Sequence, residues 1–375
     1  MSGEGLIVLA AGGTGGHVFP AEALAAELRG RGRRLVLVTD KRAEQYEARF
    51  PGVDIHVVPS AGVAGRGVAG KVKSLAQIGR GTLVARPLLR QLDAACVVGF
   101  GGYPSLPAML AGQWLGLPTV LHEQNAVLGR ANRLVAGRAA AIAASFDKLR
   151  FLKVNDRVKV NVTGNPVRPA IVAARDVAYS VADGAGPFRI LVMGGSLGAT
   201  VMSDVVPAAL AALAPAARTR LQVTQQARAE DVARVRATYD QAGIEAFVAP
   251  FIEDVPARLA ACHLAISRSG ASTVAELAVA GRPAVLVPYP HATDDHQTDN
   301  AAALTAAGAA VAMPQPQFTA AALAGRITDW MADPAVLGRM AQAARDIGRP
   351  DAAANLADLV EGLAKGSQGS RRIAA

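Results

Sequence analysis

Leu6-Ile7-Val8-Leu9-Ala10 runs without a polar residue into Ala11-Gly12-Gly13-Thr14-Gly15-Gly16-His17, and about half a chain later Ile190-Leu191-Val192-Met193 runs into Gly194-Gly195-Ser196-Leu197-Gly198. Each is a short apolar run that ends in a glycine-rich turn and leads into an Ala/Leu-rich helical stretch. A run of this length, bounded by glycine, reads as a strand buried on both faces, as parallel sheets require. Two such strand-turn-helix units in one chain predict two doubly wound α/β domains.

The rest of the chain agrees. Further strands are expected at 34–39, 54–58, 94–99, 118–122, 139–143 and 158–163 in the first half. In the second half they are expected at 189–193, 219–224, 246–249, 263–267, 284–287 and 309–313. Thr163-Gly164-Asn165-Pro166-Val167-Arg168-Pro169 follows a strand with two prolines and a glycine, so it reads as a stiff linker. The first domain is therefore expected over 1–166 and the second over 167–345. From Lys365 onward, Gly366, Ser367, Gly369 and Ser370 predict a disordered tail over 365–375.

Composition narrows the function classes. With 375 residues, 51% of them apolar, the chain has material for two cores, and 18% charged residues is too few for a disordered chain. The net charge of +9 attracts phosphate in any form, whether nucleotide, nucleic acid or anionic lipid. Aromatic residues at 4% leave little to stack nucleic-acid bases on, and the chain lacks a helix-turn-helix, zinc-finger or RNA-recognition signature. Cys96 and Cys262 sit in apolar runs in different halves and read as buried thiols of a reducing compartment. His122-Glu123 does not extend to a zinc-binding HExxH, because Ala126 stands where the second His is needed. The apolar run at 5–10 is cut short by Gly12-Gly13, which argues against a signal peptide. The uncharged stretch 94–121 is punctuated by glycine and proline and reads as strand, loop, helix and strand rather than a membrane span.

The glycine turns point to phosphate. A backbone that approaches a phosphate closely tolerates no Cβ, so Gly12, Gly13, Gly15 and Gly16 permit the approach. The helix behind them aims its free N–H groups at the anion. A dinucleotide reading, with Asp40 as the ribose-binding acid, fails the fingerprint, because GxGxxG started at Gly13 needs glycine at Val18. His17, just after the turn, can take a proton from a hydroxyl near neutral pH.

Ser267-Arg268-Ser269-Gly270-Ala271-Ser272-Thr273-Val274-Ala275-Glu276 supplies a second anion cradle, with Ser269 or Ser272 expected to cap a helix that ends at Gly281. Thr273 and Glu276 share one face of it, and a carboxylate there can accept hydrogen bonds from both hydroxyls of a ribose. Asp294-Asp295-His296-Gln297 forms a polar loop after the strand at 284–287, without clear metal-ligand spacing. Between Asp54 and Asp93 there is no acid, while Arg66, Lys71, Lys73, Arg80, Arg86 and Arg90 fall in that window. Leu75, Ile78, Thr82, Ala85 and Leu89 recur beside them at helical spacing. The stretch reads either as an amphipathic helix with a solvated cationic face or as a dock for anionic lipid.

Taken in order, Gly12 to Pro20, Gly101-Gly102-Tyr103-Pro104-Ser105, His122-Glu123-Gln124-Asn125, Thr163 to Arg168, Gly194-Gly195-Ser196, Arg268 to Ala271, Glu276 and His296-Gln297 resemble the MurG family of bacterial UDP-N-acetylglucosamine transferases. That resemblance implies a GT-B fold, with two Rossmann-like doubly wound domains facing a central cleft and a last helix, about 346–364, returning to the first domain. It implies inverting transfer of GlcNAc from UDP-GlcNAc to the MurNAc C4 hydroxyl of lipid I, giving lipid II, with no metal or other cofactor. An epimerase acting on UDP-GlcNAc is the nearest alternative of the same fold.

Carried over by position, His17 is the candidate base and Thr14, Gly15 and Gly16 are phosphate or sugar contacts. Asn125 meets the GlcNAc ring, and Arg168 and Ser196 lie on the diphosphate side. Ile252 meets uracil through its backbone, Gly270, Ala271, Ser272, Thr273, Val274 and Ala275 receive the phosphates, Glu276 takes the ribose and Gln297 the sugar hydroxyls. The resemblance also implies docking of the Arg66–Arg90 stretch to the cytoplasmic face of the inner membrane and contact with wall-synthesis proteins, and it implies no nucleic acid. The sequence departs from the family at Leu197, at Gln225-Gln226, where members often carry His-Gln, and at His296, where some carry a second Gln.

Overall fold

The computed structural model describes residues 5–42, 46–62, 67–182, 185–195 and 198–373. They form two compact units, one reaching Arg168 and resuming at Pro350, the other spanning Pro169–Arg349.

The first unit holds strands β1 (Leu6–Ala10), β2 (Leu35–Thr39), β3 (Asp54–Val57), β4 (Ala94–Gly99), β5 (Thr119–Glu123), β6 (Ala141–Ala144) and β7 (Val160–Val162). Its helices are α1 (Gly15–Gly30), α2 (Val68–Gln91), α3 (Gly102–Trp114) and α4 (Arg130–Val135). The sheet order is β3-β2-β1-β4-β5-β6-β7, and every pairing is parallel. The chain then enters the second unit through α5 (Pro169–Ala174).

That unit holds β8 (Phe188–Met193), β9 (Leu221–Gln226), β10 (Glu245–Ala249), β11 (Leu264–Ser267), β12 (Ala284–Leu286) and β13 (Ala310–Ala312). Between and after them come α6 (Thr200–Ala211), α7 (Pro215–Arg218), α8 (Val232–Ala242), α9 (Val255–Ala261), α10 (Ala271–Ala280), α11 (His296–Ala306), α12 (Ala320–Ala332) and α13 (Ala335–Ile347). The order is β10-β9-β8-β11-β12-β13, again all parallel.

Each expected strand forms, because a central parallel strand must be apolar on both faces. Leu6 to Ala10 is buried throughout, and its alternate side chains enter two different cores. Ile7 and Leu9 pack with α1, whereas Val8 and Ala10 pack toward α2 and α3. A final helix, α14 (Ala352–Ile373), lies in the first unit and puts Leu356, Ala357, Val360 and Ala364 into the core that holds Ile7 and Leu9. Arg31 ties it down, bonding Asp358 at 2.5 Å and Glu361 at 3.1 Å.

Three expectations on organisation need correction. The first unit extends to Arg168 rather than 166, because Val167 is buried and the Arg168 guanidinium stacks 5.3 Å from the Phe19 ring. The return begins at Pro350, since α13 keeps residues up to Ile347 in the second unit. The stretch after Lys365 is helical to Ile373 instead of disordered. Once a helix is anchored, each added residue forms a bond without repeating the cost of nucleation.

Candidate functional site

In an open parallel sheet, ligands bind beyond the carboxyl ends of the strands, at the point where strand order reverses. In the first unit that point lies between β1 and β4, whose following loops are 11–14 and 100–101. In the second it lies between β8 and β11, whose loops are 194–199 and 268–270. The glycine-rich turns occupy both positions.

Around the first switch point, Gly13 has φ +100°, a conformation that needs glycine, and its N–H donates to the Tyr46 hydroxyl at 3.2 Å. Gly15 and Gly16 instead have helical backbone and begin α1, so their value is absent bulk rather than positive φ. A Cβ on Gly15 would stand 3.0 Å from the Phe19 ring. Thr14 is the N-cap but makes no side-chain capping bond, and the first turn carries no acid. The positive end of α1 is therefore left uncompensated, as an anion site requires. Asp40 grips Arg42, with Nη2 to Oδ2 at 2.5 Å and Nε to Oδ1 at 3.0 Å, so the acid of the dinucleotide reading is engaged as an ion pair. Burial opposes ionisation there, yet the Arg42 guanidinium holds that carboxyl below its ordinary range.

His17 sits in the first turn of the helix. Its Nδ1 lies 3.2 Å from Gln124 Oε1, and its ring lies against Gly101 and Gly102. Asn125 follows β5, and Glu123 fixes it: Glu123 Oε1 accepts the Asn125 backbone N–H at 3.0 Å and Nδ2 at 3.2 Å. Glu123 Oε2 accepts Gly129 N–H and Asn132 Nδ2, each at 2.7 Å.

Around the second switch point, α10 opens at Gly270 with no side-chain cap and no acid in its first turn. The expected serine caps do not form. Ser269 Oγ donates to the Gln297 carbonyl at 2.7 Å, and the buried Ser272 Oγ has no protein partner among the described residues. Both are thereby kept out of the helix's free amides. Glu276 lies one turn in, only 8% exposed, and Gly281 closes the helix in the left-handed conformation. Gln297 is held at both ends, its carbonyl by Ser269 and its Oε1 by the Tyr289 N–H at 2.9 Å. Arg268 spans to Val287 O, Pro288 O and Gln315 Oε1, so it braces this loop cluster. Ile252 is anchored by a buried side chain in the loop between β10 and α9. Ser196 and Leu197 lie outside the described residues, as does Arg66.

The structure explains one departure and adds a residue that spacing could not reveal. Gln225 is fully buried, accepting from Tyr239 Oη at 2.5 Å and donating to Met202 O at 3.3 Å, which is a core role. Gln226 accepts the Gly194 N–H at 3.1 Å and donates to Pro250 O, tying the second glycine turn to the loop that carries Ile252. His296 Nδ1 turns back onto Thr293 O at 2.8 Å. No cluster of three or more metal-ligating side chains occurs among the described residues.

On α2, Ile78, Thr82, Ala85 and Leu89 are buried, whereas Leu75 is 57% exposed. At about 100° per residue, positions 72, 75, 83, 86 and 90 share one outward stripe. Val72 and Leu83 on it are exposed, and Arg86 stacks 4.5 Å over the exposed ring of Trp114 on α3. No helix among the described residues is long and apolar enough to cross a membrane.

Comparison with known proteins agrees with this geometry. Residues 7–144 match the glycosyltransferase family 28 N-terminal domain, and residues 189–357 match the family 28 C-terminal domain. A Rhodospirillum centenum protein named UDP-N-acetylglucosamine--N-acetylmuramyl-(pentapeptide) pyrophosphoryl-undecaprenol N-acetylglucosamine transferase is 55% identical over 96% of this chain and 94% of its own. The crystal structure of Acinetobacter baumannii MurG superposes with a TM-score of 0.78 at 31% identity, covering 96% of this chain and 99% of that one. A UDP-GlcNAc 2-epimerase from Neisseria meningitidis superposes at 0.64 but is 14% identical, over 94% of this chain and 98% of that one, and so shares the fold alone.

Proposed function

Because the chain belongs to the MurG family of N-acetylglucosamine transferases, with both family 28 domains, we propose that its two units divide the transfer into a donor half and an acceptor half. The protein transfers GlcNAc from UDP-GlcNAc to lipid I, forming lipid II for peptidoglycan. The epimerase alternative is not favoured, since relatives carrying the transferase name match at 50–55% identity over nearly the whole chain.

In the second unit, the free first-turn amides of α10, from Ala271 to Thr273, receive the UDP phosphates, with Val274 and Ala275 keeping the wall small. Gly270 lets the diphosphate approach. Glu276 accepts the ribose hydroxyls, the backbone of Ile252 meets uracil, and Gln297, with Ser196, contacts the sugar and diphosphate. In the first unit, Thr14, Gly15 and Gly16 form the acceptor-side cradle, Asn125 meets the GlcNAc ring and Arg168 faces the diphosphate. His17 takes the proton from the acceptor C4 hydroxyl as it attacks the anomeric carbon. Charge developing on the leaving UDP is met by aligned N–H groups and the helix dipole, a preorganised field that does without a metal.

The outward stripe Val72, Leu75, Leu83, Arg86 and Arg90, with Trp114, docks the first unit on the anionic inner face of the membrane, where the lipid acceptor lies. Arg86 and Arg90 on that stripe, at about 1 kcal/mol per basic group near the headgroups, supply on the order of 2 kcal/mol to that docking.

The observation carrying this reading is the buried carboxylate of Glu276, one turn into a helix whose own N-terminus carries no acid. The deciding measurement is UDP-GlcNAc affinity of Glu276→Ala by calorimetry. Loss of the two ribose bonds weakens binding by about tenfold or more, whereas an unchanged Kd removes the ribose assignment.

A further inference from the structure

His17 is not an isolated imidazole; it is the outer end of a chain of hydrogen bonds that starts in the core of the first unit. Gln124 Nε2 lies 2.9 Å from the Phe100 carbonyl and 2.9 Å from His122 Nδ1, while Gln124 Oε1 lies 3.2 Å from His17 Nδ1. His122 Nε2 lies 3.4 Å from the Gly164 carbonyl. Gln124 and His122 are both buried, at 1% and 0% exposure.

The proton positions follow from these partners. A carbonyl only accepts, so the group beside Phe100 O must be the Gln124 NH2, and flipping the amide would set two acceptors against each other. The second amide hydrogen then points at His122 Nδ1, which must be the unprotonated nitrogen. His122 therefore carries its proton on Nε2 and gives it to Gly164 O. With its NH2 used inward, Gln124 presents only its oxygen to His17, and an oxygen without a hydrogen can only accept. His17 Nδ1 must be the N–H. In neutral His17 the lone pair is then left on Nε2.

The far side of the ring is built to leave that nitrogen open. Gly101 and Gly102 both have positive φ, at +81° and +68°. A Cβ on Gly102 would stand 3.4 Å from Nε2 and 3.2 Å from Cδ2. No protein hydrogen-bond partner of Nε2 occurs among the described residues.

We infer that Gln124 and His122 are positioning residues that lock His17 in its Nδ1–H tautomer, so that Nε2 is the atom that removes the acceptor's proton. In the step, the acceptor O–H breaks and its electron pair forms the new bond to the anomeric carbon, the bond from that carbon to the UDP β-phosphate oxygen breaks with its pair leaving on UDP, and the proton arrives on His17 Nε2, giving an imidazolium that Gln124 Oε1 still accepts from. Burial holds His122 neutral by pushing its pKa down to about 4, so the inner end of the chain does not change protonation at neutral pH.

The inference rests on His17 being the base, and the test separates the two ideas. Nitrogen-15 imidazole spectra of the full chain, with the His17 signals assigned by their loss in His17→Ala, report which nitrogen carries the proton. The expected result is protonated Nδ1 and bare Nε2 in neutral His17, with Gln124→Leu shifting the population toward Nε2–H. A wild-type His17 found as Nε2–H overturns the inference without any variant having to fold. In kinetics, Gln124→Leu is expected to lower kcat about tenfold, less than the 10²–10⁴-fold of losing a general base outright, with KM for UDP-GlcNAc within about twofold. His122→Asn, which keeps an acceptor opposite the Gln124 amide, should retain most of the activity that His122→Leu loses. Equal kcat in wild type and Gln124→Leu, or equal loss in the two His122 variants, also overturns it. If His17→Ala alone leaves kcat intact, the base assignment fails while the tautomer measurement still stands.

Discussion

Glu123→Gln is a change of one atom, and its effect can be worked out from the bonds it disturbs. The carboxylate is 1% exposed and accepts from Asn125 N, Asn125 Nδ2, Gly129 N and Asn132 Nδ2. All four partners are donors. A glutamine keeps one acceptor oxygen and must turn its NH2 toward two of them. Retaining the short pair to Gly129 and Asn132 sacrifices both bonds to Asn125. At about 1.5–3 kcal/mol for each hydrogen bond to a charged group, the loss of two is roughly 3–6 kcal/mol. That is a large share of the 5–15 kcal/mol that typically holds a domain together. Urea unfolding, with amide exchange followed across 119–135, should show the loss centred on this segment with little change in denaturant slope. Because Asn125 loses both of its bonds to Glu123, KM for UDP-GlcNAc should also rise in the fraction that remains folded. A loss below about 1 kcal/mol, with unaltered exchange at Asn125, would refute the claim that Glu123 organises the loop after β5.

Leu83→Glu places an acid on the outward stripe of α2 and should reduce sedimentation with vesicles containing anionic lipid at least tenfold while leaving UDP-GlcNAc binding intact; equal sedimentation removes the docking surface. His122 gives a pH signature. Its folded pKa of about 4 lies below the ordinary 6.5 because burial disfavours the charged ring, so the unfolded chain takes up the proton first. Native stability is therefore full above the unfolded value and falls as pH drops from 6.5 toward about 4, by roughly 3 kcal/mol. His122→Asn should flatten that part of the stability profile, and parallel profiles would count against the burial argument. Gly81→Ala should destabilise the first unit by about 3 kcal/mol or more, read as a lowered urea midpoint, because the new Cβ would lie 1.9 Å from the Pro59 carbonyl.

The parts of the molecule that were legible in the sequence are those with a local signature. Apolar runs bounded by glycine marked the parallel strands, and Gly281 marked the end of α10, since a left-handed C-terminal residue is a backbone demand. What was hidden depends on partners remote in the chain. Gln124 meets His17 across 107 residues and Gln226 meets Gly194 across 32, and a single polar residue at a strand end has no periodicity to announce it. Helical spacing marks a stripe on α2 but not its edge. The buried arc runs through Ser74, Ile78, Gly81, Thr82, Ala85 and Leu89, and Leu75 lies just past it. Ser269 and Ser272 matched a capping pattern, yet a site that must leave its helix amides to a ligand has reason to spend its serines elsewhere.

That last point extends to both units and accounts for the choice of glutamine. Each glycine turn has to be held rigidly, and each lies at a helix N-terminus whose value is its positive potential. An aspartate or glutamate brace beside the turn would neutralise that potential, at up to about 1 kcal/mol for one charge near a helix end, and would repel the phosphate as well. A lysine or arginine could not accept the Gly194 N–H or the His17 Nδ1–H. An amide donates and accepts without net charge. Gln226 uses both ends to join Gly194 to Pro250, and Gln124 uses both ends to join Phe100 and His122 to His17. The acids of the proposed site are set back. Glu276 stands a turn inside α10, and Glu123 is enclosed by its own four donors, so neither competes with an anion for the first-turn amides. On this argument, replacing either glutamine by glutamate should lower nucleotide or acceptor affinity as well as stability, because a carboxylate oxygen would then face the Phe100 or Pro250 carbonyl and the field the amide was chosen to spare would be weakened.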